Sequence, residues 1–168
     1  MGYDVHGLLA DWPATVEAAR TSRGLDFFWA HEDVPPCFTE RDFAGRFAFQ
    51  AAQFAYERMR PLLSRPLLAR TDAVIGAFYG DDSAADDLAE DAELPHSGAF
   101  YALRPARVAV IDTIGVAWDE IEAAIAPDCF TDAHVPDLER FAWVVGQQLA
   151  WLREAAREGL GVVAVVGQ

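Results

Sequence analysis

The chain contains no lysine. All 13 of its basic residues are arginine, set against 27 aspartates and glutamates. That absence excludes mechanisms that need an amine on a flexible stem: phosphate capture by a P-loop lysine, Schiff-base chemistry and a Ser-Lys dyad. Lysine avoidance beside abundant Ala, Arg and Asp also points to a high-GC bacterial genome. Cysteine is nearly as scarce, with only Cys37 and Cys129. Two thiols make no disulfide framework, and the plain reading is a cytoplasmic protein with reduced cysteines. No apolar run has membrane-spanning length, and "MGYDVHGLLADWP" lacks the basic start and long apolar middle of a signal peptide. His6 stands where a myristoylation signal needs Ser or Thr. G-x-S-x-G, H-E-x-x-H and C-x-x-C are all missing. "GLGVVA" at 159–164 fits G-x-G-x-x-A in letters, but it follows a helix pattern and becomes a strand, the reverse of a dinucleotide fingerprint.

What is present is globular. Hydrophobic residues make up 52% of the 168 and charged residues 24%, enough for one domain, 1–168, with a core that needs neither disulfide nor metal. The net charge is −14. A surface of that sign repels phosphate backbones, so no nucleic acid is expected; with no membrane-spanning run, no membrane is expected either, and no cofactor.

The patterning predicts α+β: a small mixed sheet, including N- and C-terminal strands, wrapped by several helices. "YDVHGLLA" (3–10) reads as a strand. A helix follows with Asp11 as cap, Pro13 in its first turn and Gly24 as its stop. A long helix is expected over 40–60, with Thr39 as N-cap, Phe38 and Phe43 as a hydrophobic staple, and Phe43, Phe47 and Phe54 on one face. Thr71 reads as the cap of "DAVIGAFY", and 80–93 as a solvated acidic loop or frayed helix. "AFYAL" reads as a strand, "RPARVAVIDTIG" as a helix opened by Pro105 and closed by Gly115, and "VAWDEIEAAIAPD" as another. The clearest helix spans 136–158. Leu138, Phe141, Ala142, Val145, Leu149, Leu152 and Ala156 step along it by threes and fours. "GVVAVVG" (161–167) is suited to a central strand, and its pairing with 3–10 would bring the chain ends together.

Three constellations are candidates for chemistry. The tripeptide Cys-Phe-Thr occurs twice, in "HEDVPPCFTERD" and "APDCFTDAHV". Were the two loops to meet, His31, Cys37, Cys129 and His134 would supply the two sulfurs and two nitrogens of a tetrahedral zinc site. Neither half has a zinc-binding spacing, so two buried thiols and two unrelated histidines is the favoured reading. Secondly, Arg46, Gln50, Gln53 and Glu57 form a polar line between aromatics, either the wall of a ligand pocket or the wet edge of a helix, with the wet edge preferred. Thirdly, Val144, Gln148 and Trp151 lie off the main stripe of the last helix, as a second layer of packing or as a partner surface, for instance of a homodimer. The acidic run 80–93 fails the calcium-loop pattern, because the sixth place from Asp81 is Asp86 rather than Gly and the twelfth is Ala92 rather than Glu.

The start "MGYDVHGLLAD", the middle "DAVIGAFYGDD", the segment "YALRPARVAVIDTI" and the ending "LERFAWVVGQQLAWLREAAREGLGVVAVVGQ" together resemble the YfbM-like group of bacterial proteins of unknown function. The resemblance spans most of the chain and is strongest over 99–168. It implies a compact α+β domain and no catalytic residues. Ala-Leu-Arg-Pro stands where the pattern has Thr or Ser before the helix proline, and "WAHEDVPPCF" has no counterpart in it. On residues and resemblance together, the chain reads as a non-enzymatic domain that binds a basic protein partner through its acidic surface. The alternatives are a small-molecule binder or enzyme with its pocket beside Arg46, Gln50 and Gln53, or the zinc domain above.

Overall fold

The computed structural model of the chain describes residues 4–22, 38–40, 49–76, 86–95, 100–125 and 138–167. In chain order the elements are β1 (Asp4–Ala10), α1 (Trp12–Ser22), β2 (Phe38–Glu40), α2 (Phe49–Met59), a 3-10 turn (Arg60–Leu62), α3 (Arg65–Val74), α4 (Asp87–Ala92), β3 (Phe100–Leu103), α5 (Pro105–Ile114), α6 (Trp118–Glu122), α7 (Leu138–Glu158) and β4 (Gly161–Gly167). The α+β class holds. The strands form one four-stranded sheet in the order β2-β1-β4-β3. Its ladders are antiparallel, and its parallel feature among the described residues is an isolated bridge between Asp86 and Ala102.

The terminal strands pair over seven residues, from Asp4 opposite Gly167 to Ala10 opposite Gly161. β4 therefore sits in the sheet's interior, as its run of β-branched residues requires. Alternation along the strands then divides the molecule into two cores. Leu9, Leu103 and Val162 point to one face, where they join α2, α3, α5, α6 and α7. Leu8, Ala10, Ala102 and Val163 point to the other, where they meet Trp12, Val16 and Ala19 of α1 and Leu88 and Ala92 of α4. The sheet is thus covered on both sides, by a large helical layer and a small one.

Local chemistry explains several boundaries. Asp11 Oδ1 accepts the Ala14 N–H at 3.3 Å and caps α1 as expected. Pro105 sits in the first turn of α5, and Gly115 ends it with a φ of +56°, a conformation that costs glycine little. Gly161 has a different role. A Cβ there would collide with the Trp12 ring and lie 2.9 Å from the Leu103 carbonyl, so its bare backbone lets α1 and β3 pack closely against β4. Among the described residues, no helix is long and apolar enough to cross a membrane.

Four expectations are corrected. Phe38 and Thr39 are not a staple and cap. With Glu40 they form β2, pairing opposite Ala10, Leu9 and Leu8. Thr71 lies inside α3, its hydroxyl donating to the Leu67 carbonyl at 2.8 Å, while Ser64 precedes the helix and Pro66 opens it. Phe54 is 54% exposed, because α2 buries Ala55, Tyr56 and Met59 instead. Of the two readings of the acidic run, solvated loop or frayed helix, the loop fails where the run is described and the helix stands. Residues 87–92 form α4, Asp86 caps it by accepting the Ala89 N–H at 3.0 Å, and Asp87 is buried.

Candidate functional site

The zinc quartet His31, Cys37, Cys129 and His134 lies outside the described residues, as does Arg46. Gln50, Gln53 and Glu57 fall on α2, at three- and four-residue steps that put them along one side. Gln53 is half-buried and Glu57 exposed. Val144, Gln148 and Trp151 are buried inside this chain and belong to its main core or its lining, together with Phe141, Val145 and Leu152. They are not a surface. α7 lies between the sheet and other helices, so its buried face is wider than a single stripe, and the second layer of packing is what they provide.

The structure brings together two polar clusters that local patterning does not reveal. The first centres on Asp87, whose residue is 1% exposed. Arg107 forks onto it, Nε to Oδ2 at 2.9 Å and a terminal nitrogen to Oδ1 at 2.7 Å. The Arg104 backbone N–H donates to Oδ2 at 2.8 Å, so Asp87 also occupies the positive N-terminal end of α5. The Arg104 guanidinium reaches Asp87 at 3.4 Å and Asp91 at 3.3 Å, and pairs with Glu90. Burial works against the Arg104 charge, but Asp87, Asp91 and Glu90 outweigh it and raise its pKa. Asp91 in turn accepts the Trp12 indole N–H at 2.7 Å, and its carbonyl accepts from Arg20 at 2.6 Å. α1, α4 and the start of α5 are thereby joined through one carboxylate cluster.

The second cluster ties α2 to α3. Arg60 forks onto Asp72 through two 2.9 Å bonds, and the Tyr56 hydroxyl donates to the same carboxylate. The Arg60 guanidinium also lies 6.0 Å from the Tyr56 ring centroid. Burial, then the Asp72 hydrogen bond, pushes the Tyr56 pKa far above its ordinary value. Burial opposes the Asp72 charge, yet the Arg60 and Tyr56 hydrogen bonds prevail and hold its pKa below the usual carboxylate range. Both Asp72 oxygens are occupied by these bonds. This geometry is that of a clamp between helices.

Both clusters consume their charges internally, and neither presents a free nucleophile or general base. Among the described residues, no group of three or more His, Cys, Asp or Glu side chains is placed to hold a metal ion. Sequence signals for the Asp87 cluster did exist: Asp-x-x-Glu at 87–90 is a helix-start pattern, and Arg104 and Arg107 flank a helix-opening proline. Their mutual pairing was the part that no local pattern carries.

Outside the clusters the surface is acidic. Arg60, Arg70, Arg104, Arg107 and Arg157 are each committed to carboxylates of the same chain. Glu17, Glu57, Glu93, Asp112, Asp119 and Glu122 are exposed and engage no arginine among the described residues. On α5, Val110 is 59% and Ile114 38% exposed, one turn apart. No family model, curated protein or solved structure matches the chain. Function therefore has to be read from its own geometry and charge.

Proposed function

We propose that this domain works by binding another protein, one with a basic surface, and that it catalyses no reaction of its own. The observation that carries this is the fate of its cations. Five of the 13 arginines that would offset a net charge of −14 are tied into pairs with carboxylates of the same chain, and exposed acids are left over. A molecule so arranged presents a strong negative field to an approaching partner, which speeds encounter with basic proteins and repels acidic ones.

The test is selection of random-sequence peptides on the immobilised protein, followed by affinity measurement at two salt concentrations. The expected binders are rich in Lys and Arg, and weaken as salt rises from about 10 mM to about 150 mM, where the screening length falls to about 8 Å. Recovery of neutral or acidic peptides, or affinities indifferent to salt, would defeat the reading.

A further inference from the structure

We draw no further inference here: the strongest candidate, the exposed apolar patch formed by Val110 and Ile114 on α5, carries nothing further, because nothing in the structure shows what covers it.

Discussion

The two helical layers that cover the sheet are held in different ways. The large layer is apolar at its centre: Phe141 is fully buried, meets the Trp118 ring edge-on at 5.7 Å, and belongs to one cluster with Val144, Val145, Trp151 and Leu152. The small layer consists of one three-turn helix and one of six residues, with few large apolar side chains to bury. It is fixed at its rim by Trp12–Asp91, Arg20–Asp91 and the arginines on Asp87. Where buried area is limited, directional bonds set the position of a helix that hydrophobic contact alone would leave free to slide. Asp87 belongs to the small layer, and Arg107 to a helix of the large one, so the same carboxylate also rivets the layers together.

That contrast can be broken in order of expected effect. Phe141→Ala should be the most costly change, at about 3–5 kcal/mol, because it opens a cavity in the larger core. Denaturant unfolding would measure it, and the loss should persist in high salt. Asp87→Ala should cost less, about 2–3 kcal/mol. It strands two guanidiniums and the Arg104 N–H, but side chains that are 31% and 48% exposed can still find water. A loss equal to that of Phe141→Ala would mean that the rivet matters as much as the main core. Gly161→Ala comes next, at about 2 kcal/mol, since the new methyl group meets the Trp12 ring and the Leu103 backbone. Its effect should be eased by Trp12→Phe in a double variant; a purely additive result would show that the strand, rather than α1, bears the strain.

How much of this was legible follows from what each feature depends on. β1, α1, α5, α7 and β4 were readable because their signals are local: Asp11 at a cap, Pro105 and Gly115 bracketing a helix, a three-four apolar rhythm, a β-branched run. Thr39 and Thr71 misled because threonine serves equally as a cap, as a strand residue or as a back-bonded helix residue. The choice at Thr39 is made by β1, which offers Leu8 to Ala10 as a pairing edge to three residues too few to show a period. Asp87 is buried because Arg104 and Arg107 arrive from 17 and 20 residues away. Val144, Gln148 and Trp151 are covered because α7 has neighbours on two sides.

The smallest expected effect sharpens the comparison from the other side, at the periphery of the large layer. Asp72 resembles Asp87 in being gripped by a forked arginine, but its side chain is 33% exposed rather than 1%. Solvent should dilute what the clamp contributes, so Asp72→Asn is expected to cost about 1 kcal/mol at neutral pH. The pH dependence identifies the source. The folded state holds the Asp72 pKa below the usual carboxylate range. Its contribution is therefore present above about pH 4, and is lost as pH falls through that lowered value. Tyr56 runs the opposite way. Its pKa is raised, so its contribution is complete below about pH 10 and is lost as pH rises from there toward the raised value. Unfolding free energies of wild type and Asp72→Asn should accordingly converge toward about pH 2, while Tyr56→Phe should flatten the alkaline fall. A gap between wild type and Asp72→Asn that stayed constant down to about pH 2 would place the effect in packing around Gly76, where the Tyr56 hydroxyl already lies 2.8 Å from the position of an added Cβ.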